Sequence, residues 1–273
     1  MEVQQLLGKH LPGYAIETVS LLGEGWDNVA YEVNGELIVR FSKDDDPVRA
    51  VSREAAVLSV VRQWSTLAVP HLLFSDPGAG ALAYPKLKGL PLNECQGIDA
   101  HAVGRVLAEF HRGLHGAPLA DIAGTDDEPF QDHLAEAAAD YALVAELVPQ
   151  RFRPAIARFL DADPPPRGKE LVFCHNDLGA EHILASDAGE PQAVIDWTDA
   201  AMADPARDPG LLLRDLGPEV FEAMNPGDWA PRSWFYARCS VLGDIAYGVR
   251  ERQPHYRDEG LASLVHLFSE QAG

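Results

Sequence analysis

Apolar and polar positions divide the chain into two unlike parts. Residues 15–41 run in short apolar stretches that predict three strands, AIETVSLL, NVAYEV and ELIVRF. The turn Gly23-Glu24-Gly25 separates the first two, and Asn34-Gly35, a strong two-residue hairpin signal, separates the last two. Asp46 and Pro47 then supply an N-cap and a first-turn proline. The helix they open carries Val48, Val51, Ala55, Leu58 and Val61 at three-and-four spacing. Two more strands are predicted around VPHLLFSD and ALAYPKL.

After Gly89 the pattern becomes helical. Val103, Leu107, Phe110 and Leu114 form one apolar stripe, and PFQDHLAEAAADYALVAELV reads as a second helix. DADPPPRG at 161–168 is too proline-rich to be helical, and it leads into a short strand, LVFCHND. A second short strand, QAVIDW, lies downstream, and from Asp208 onward the chain is mostly helical. The expected fold is therefore α+β. A small β-rich lobe over residues 1–86 joins a larger helical lobe over 87–273 near residues 84–90, with a ligand cleft between them.

Composition narrows the partners. The chain has 273 residues, 47% of them hydrophobic and 23% charged, which is a globular balance with enough length for two cores. Its formal charge of −20 weighs against nucleic acid, whose phosphates need clustered Lys and Arg. The same charge favours cationic partners, and a merely solubilising acidic surface accounts for it equally well. No stretch approaches the ~20 apolar residues of a membrane span. The opening MEVQQLLGKHLPGY has no basic segment followed by an apolar one, so a cytoplasmic protein is expected, acting as a monomer and binding neither membrane nor nucleic acid. The three cysteines, Cys95, Cys174 and Cys239, are widely spaced and read as reduced thiols.

The chemistry concentrates in Cys174-His175-Asn176-Asp177-Leu178-Gly179-Ala180-Glu181-His182 and in Val194-Ile195-Asp196-Trp197. Each cluster ends an apolar strand, and a strand–loop–strand return would bring Asp177 and Asp196 together. Paired carboxylates beside histidines suit a divalent cation and a base. Alone, the fragment reads equally well as a His capping a strand end and an Asp capping a turn.

The ordered set is more specific. HNDxxxxH followed by IDW, behind a β-rich lobe carrying VRF and a helical Glu54, resembles the antibiotic kinases, the aminoglycoside and macrolide phosphotransferases with their protein-kinase-like fold. The resemblance runs from about Leu21 to about Leu213, and AYPKLKGLPL and VIDWTDAAMADPARD are most like the macrolide branch. It implies that Asp177 is the catalytic aspartate, which orients the substrate hydroxyl and accepts its proton. It implies Mg2+ at Asp196 and His182, the latter where an ordinary kinase carries Asn, with bracing of the metal site as the alternative role for His182. His175 would shape the loop.

In the small lobe the resemblance expects a Lys on the third strand, and Arg40 stands there instead, with Lys43 as rival. Glu54 would be its partner, against the plain reading of a solvated helix-face glutamate. Gly23, Gly25 and Asn28 belong to the turn that would cover phosphate, although a hairpin turn also uses glycine. Tyr84-Pro85-Lys86-Leu87 falls at the interlobe hinge that would hold the purine of ATP or GTP, so Tyr84 and Lys86 enter as nucleotide-binding positions. Asp204–Asp208 is expected to brace the metal loop. Substrate contacts are assigned to Asp199, Asp215, Glu219 and Asp244 of the helical lobe, where Glu222, Asp228 and Glu251 are further acidic positions. Surface solvation explains any one of these carboxylates. Trp229, Trp234, Phe235 and Tyr236 read as core before substrate wall.

The implied activity moves the γ-phosphoryl of ATP or GTP to a hydroxyl of a cationic antibiotic, an aminoglycoside first, then a macrolide or a cationic peptide. A choline- or homoserine-type metabolic kinase, a metal-dependent hydrolase built on His175, Asp177, His182 and Asp196, and a nucleotide-binding pseudokinase are the rival readings.

Overall fold

In the computed structural model, which describes residues 3–25, 27–168 and 170–269, the first lobe is built on an antiparallel five-stranded sheet. In chain order its elements are α1 (Val3–His10), β1 (Val19–Glu24), β2 (Asn28–Val33), β3 (Leu37–Ser42), α2 (Pro47–Val61), β4 (Phe74–Asp76) and β5 (Ala81–Pro85), and the sheet order is β1-β2-β3-β5-β4. Leu37, Ile38 and Val39 are buried in succession, the mark of a central strand covered on both faces. Asn34 and Gly35 both take positive φ, 54° and 72°, which a tight hairpin turn of this hand requires. The Asp46 carboxylate accepts the Arg49 amide and caps α2 as expected.

The second lobe contains β6 (Leu90–Pro91), α3 (Ala100–His115), β7 (Gly124–Thr125), α4 (Phe130–Val144), α5 (Arg153–Leu160), β8 (Val172–Cys174), β9 (Ile183–Ala185), β10 (Pro191–Val194), β11 (Ala201–Ala203), α6 (Arg207–Leu216), α7 (Pro218–Ala223), α8 (Ala230–Arg250) and α9 (Pro254–Phe268). Two small sheets, β10-β9-β6 and β7-β11-β8, carry the polar loops, and the helices form the bulk behind them. One core joins Val57, Leu58 and Val61 of α2 to Leu107 and Phe110 of α3 and to Trp197, so α2 fastens the small lobe to the large one. A second core packs α4, α8 and α9 through Phe130, Phe235, Ile245 and Leu264. Phe235 and Tyr236 are core, as expected.

The structure corrects three local readings. The first strand starts at Val19, not residue 15, because Asn34 Oδ1 accepts the Glu17 and Thr18 amides at 2.8 and 3.0 Å and diverts that segment from the ladder. Gly23 and Glu24 therefore belong to β1, and the turn is confined to the residues before Asn28; Trp26 lies outside the described residues. Of VPHLLFSD only Phe74–Asp76 is strand. Just upstream, Ala68 bridges to β10, with its amide on Gln192 O at 2.9 Å and its carbonyl on the Val194 amide at 2.9 Å. Helix α1, which no sequence signal announced, buries Leu6 and Leu7 against Val33, Val39 and Ala83.

Candidate active site

Arg40 stands in the middle of β3, opposite Leu82, and is almost wholly buried. Its Nη1 donates to Glu54 Oε1 of α2 at 2.8 Å, and its Nη2 donates to Asp196 Oδ1 at 2.7 Å and to Thr198 Oγ1 at 2.7 Å. Glu54 is buried as well, so the plain reading of a solvated glutamate is overturned. Burial opposes the charges of this group, raising the Glu54 carboxyl against the pull of Arg40. Burial also works against the Arg40 charge, but Glu54 and Asp196 outweigh it and hold the guanidinium above its ordinary pKa. Lys43, the rival, is used elsewhere: its Nζ lies 3.1 Å from Glu24 Oε1 and 2.9 Å from Gly25 O, tying β3 to the β1–β2 turn.

Thr198, which the sequence reading passed over, completes the network. Its hydroxyl donates to Asp196 Oδ1 at 3.1 Å, and its carbonyl accepts from Arg53. The Asn28 amide lies 3.0 Å from Thr198 Oγ1 and, with its oxygen turned inward, 2.6 Å from Arg40 Nη2. Strand β2, strand β3, helix α2 and the loop after β10 thus meet at one guanidinium, Arg40. Burial pushes the Asp196 carboxyl up, but Arg40, His182 and His175 hold it below the ordinary range.

The loop after β8 carries the second carboxylate. Asp208, fully buried at the start of α6, accepts the His175 amide on Oδ2 at 2.9 Å and the Asn176 amide on Oδ1 at 2.8 Å. The Asn176 side chain donates to Asp126 Oδ2 at 2.9 Å. Asn176 and Asp196 both take positive φ, 72° and 62°, a strained geometry that these contacts hold in place. Asp177 follows with its side chain 52% exposed. Protein mass on the other sides raises its carboxyl above the usual range, with His182 opposing. His182 sits on a single 3-10 turn, its Nδ1 2.7 Å from the Asp177 carbonyl. Burial lowers its pKa, but Asp177 and Asp196 more than compensate and raise it. His175 is buried with Nε2 2.9 Å from Ile195 O, which joins the two loops and fits the shaping role expected of it.

A magnesium ion would find a matching but incomplete set of donors. Asp196 Oδ1 is occupied by Arg40 and Thr198, and Oδ2 has no hydrogen bond among the described residues. His182 Nε2 is likewise unengaged. Among the described residues no three His, Cys, Asp or Glu side chains gather to hold a metal by themselves. One carboxylate completed by phosphate oxygens is the usual way magnesium is held beside a nucleotide.

The remaining predicted positions scatter. Tyr84 is buried on β5, where burial pushes its hydroxyl up to about 12 and Arg40 opposes the shift. Lys86 donates its amide to Glu36 O at 2.7 Å, and its ammonium pairs with Glu32, so both of its donors serve the sheet. Asp215 binds Arg214 at 2.5 Å and takes the Ala180 amide at 2.8 Å, bracing the turn that holds His182. Asp244 meets the other side of Arg214 at 2.8 Å. Both line a cavity of about 300 Å³ with Glu181, Tyr256 and Glu259. Asp199 has one exposed side, and the protein packed around the rest of it, with the charges of Asp177, Asp27 and Asp196, raises its carboxyl to about 6. Glu219 is exposed on α7 and does not line that cavity. Asp204–Asp208 does brace a loop, but it is the one carrying Asp177, while Asp204 itself pairs with Arg232 at 2.8 Å.

A β-rich lobe with a buried Arg–Glu pair, set over a helical lobe with paired carboxylates, defines a protein-kinase-like fold. Residues 18–234 match the model of the phosphotransferase enzyme family, and the chain belongs to that family. The uncharacterized protein YcbJ of Bacillus subtilis (strain 168) is 28% identical over 194 residues, a match spanning 63% of this chain and 60% of that relative. Among solved structures, the GDP and kanamycin complex of APH(2″)-IIIa shares the fold with a TM-score of 0.74 at 20% identity, covering 97% of each chain. Macrolide 2′-phosphotransferase type I gives 0.65 at 19% identity over 95% of this chain and 94% of its own. The macrolide 2′-phosphotransferase MphH from Brachybacterium faecium gives 0.61 at 21% identity over 95% and 96%. No described helix is long and apolar enough to cross a membrane.

Proposed function

We propose that this protein is a small-molecule kinase that transfers the γ-phosphoryl of ATP or GTP to a hydroxyl of a cationic antibiotic, an aminoglycoside before a macrolide. The observation that carries the reading is a half-exposed Asp177 carboxylate 3.7 Å from His182, in one loop system with an Asp196 fixed by Arg40 and Thr198. Asp177 would orient the acceptor hydroxyl and take its proton, and its raised pKa suits a base. Arg40, locked by Glu54, supplies positive charge at the nucleotide phosphates. When bound, Mg2+ would neutralise phosphate charge, held by Asp196 and His182. Gly23 and Gly25 have no positive φ, and an added Cβ at Gly23 would meet nothing within 4 Å. Neither position therefore demands glycine for its backbone or its packing, which leaves room for a phosphate to approach closely. Tyr84–Leu87 would flank the purine through its backbone. In this reading residues 1–86 bind the nucleotide, residues 87–273 carry the catalytic loop, the metal residues and the acceptor site, and the chain works as a cytoplasmic monomer.

The acceptor would lie over Glu181, Asp215, Asp244 and Glu259, where one guanidinium, Arg214, faces four carboxylates. Burial raises Asp244 to about 7, and a bound ammonium would relieve that crowding. The cavity's volume of about 300 Å³ favours a second reading, a kinase for a small cationic alcohol of the choline type. The test is phosphate transfer with Mg2+ and ATP or GTP across aminoglycosides, macrolides, cationic peptides, choline and homoserine. Phosphorylation of one antibiotic class supports the first reading, and phosphorylation of choline or homoserine alone supports the second. Nucleotide binding with no transfer to any acceptor contradicts both.

A further inference from the structure

Three elements of the small lobe reach one residue of the large lobe, Thr198. From β2 the Asn28 side chain lies 3.0 Å from Thr198 Oγ1, and from β3 Arg40 Nη2 donates to the same oxygen at 2.7 Å. From α2 Arg53 donates to the Thr198 carbonyl. The Thr198 hydroxyl in turn donates to Asp196 Oδ1 at 3.1 Å. A half-buried threonine two residues after the metal carboxylate is thus where the small lobe is tied to it.

The consequence lies in what Arg40 would otherwise do. A guanidinium beside a carboxylate favours a two-bond fork that engages both carboxylate oxygens. That fork is not formed here. Nη1 is turned to Glu54 Oε1 at 2.8 Å, and Nη2 divides its donors between Asp196 Oδ1 at 2.7 Å and Thr198 Oγ1 at 2.7 Å. The Thr198 hydroxyl acts on both partners: it accepts one Nη2 proton, and it donates its own proton to the carboxylate oxygen that Arg40 already holds. Asp196 Oδ2 is left without a hydrogen bond among the described residues, on a side chain 41% exposed. The backbone is fixed on both sides of this arrangement, by the positive φ of 62° at Asp196 and by the bond from Arg53 to the Thr198 carbonyl. Magnesium demands near-ideal octahedral oxygen geometry, which a carboxylate oxygen held in one orientation can meet.

We propose that Thr198 is a positioning residue that keeps the Arg40–Asp196 pair to a single carboxylate oxygen and so reserves Oδ2 for the magnesium of a bound nucleotide. Without the hydroxyl, the second Nη2 donor would turn to Oδ2, and Arg40 would compete with the metal for it. The proposal rests on reading this site as one of magnesium-dependent phosphoryl transfer. It goes beyond that reading in giving the choice of metal-binding oxygen to a residue that acts through Arg40 and Asp196, and its test needs no turnover.

Thr198→Val keeps the shape and removes the hydroxyl, whereas Thr198→Ser keeps the hydroxyl. ATP and GTP are titrated by calorimetry into the native chain and both variants, without Mg2+ and over a series of Mg2+ concentrations, with the melting temperature as the check on folding. In the native chain Mg2+ should strengthen the binding of at least one of the two nucleotides. Thr198→Val should raise the Mg2+ midpoint of that effect about tenfold while leaving metal-free affinity within about twofold, and Thr198→Ser should restore the native midpoint. An unchanged midpoint in Thr198→Val overturns the proposal. Equal weakening with and without Mg2+ also overturns it, since a merely structural threonine would give that result. A serine variant as impaired as the valine one does so too, because the hydroxyl would then not be the group at work. If Thr198→Val does not fold, Thr198→Ala is titrated in its place under the same criteria. A native chain that binds neither nucleotide, or binds with no help from Mg2+, overturns the underlying reading and the proposal together, whereas native Mg2+ dependence with an unmoved valine variant overturns the proposal alone.

Discussion

Arg40 illustrates how a residue that departs from a family pattern can be read physically. A guanidinium has donors to spare, and it joins Glu54, Asp196 and Thr198 at once, which a single ammonium would do less rigidly. Arg40→Ala should therefore cost about 3–5 kcal/mol in denaturant unfolding, because Glu54 would stay buried without its partner. Arg40→Lys should recover part of that loss. Asp177→Asn should lower turnover on the phosphorylated acceptor about 10²–10⁴-fold with nucleotide affinity nearly unchanged, measured by steady-state kinetics and nucleotide titration. The closeness of Asp177 and His182, with Oδ2 3.7 Å from Nδ1, was legible because they share one short motif. Thr198, Asp126 and Arg214 were not, because their roles arise from contacts across long stretches of chain and leave no local pattern.

The clamp of Asp76 by Lys9 at 2.6 Å and His10 at 2.8 Å carries a pH signature. The Lys9 and His10 hydrogen bonds lower its carboxyl to about 2. A folded-state pKa below the unfolded one gives stability that is present above the unfolded value near 4 and is lost as pH falls toward 2. The stability gap between the native chain and Asp76→Asn should close over that window in acid-unfolding curves.

Among the elements, those with strong local chemistry were legible. Helix α2 has its capping Asp46 and Pro47, α3 its apolar stripe, and the β2–β3 hairpin its Asn34-Gly35. Elements held by tertiary contacts were not: α1 is short and exists by covering the sheet, while β6, β7 and β11 are two or three residues long. Close helix approach is likewise invisible along the chain until packing is known. A Cβ on Gly104 of α3 would fall 2.5 Å from Ala223 Cβ and 2.6 Å from Val220 O of α7. Gly104→Ala should force these helices apart and cost about 1–3 kcal/mol, despite alanine's better helix propensity, as read from a lowered melting temperature.

At the scale of the molecule, the charge of −20 acts on both stability and recognition. Self-repulsion among unpaired carboxylates should make the melting temperature rise as salt goes from about 10 mM to about 150 mM, over which the screening length falls from ~30 Å to ~8 Å. The two-lobed outline was legible from the change of pattern after Gly89. That α2 shares its core with α3 and Trp197 was not, because shared burial is a property of the assembled lobes.

The central claim is that Asp177 and the Arg40–Glu54–Asp196 network belong to a phosphoryl-transfer site. Its most direct test is mass spectrometry of a cationic antibiotic panel after incubation with Mg2+ and ATP or GTP, run in parallel with the native chain and with Asp177→Asn. One antibiotic class should gain a single phosphoryl group with the native chain and almost none with the variant. A native chain that binds nucleotide but phosphorylates nothing, or an Asp177→Asn chain as active as the native one, would contradict the account.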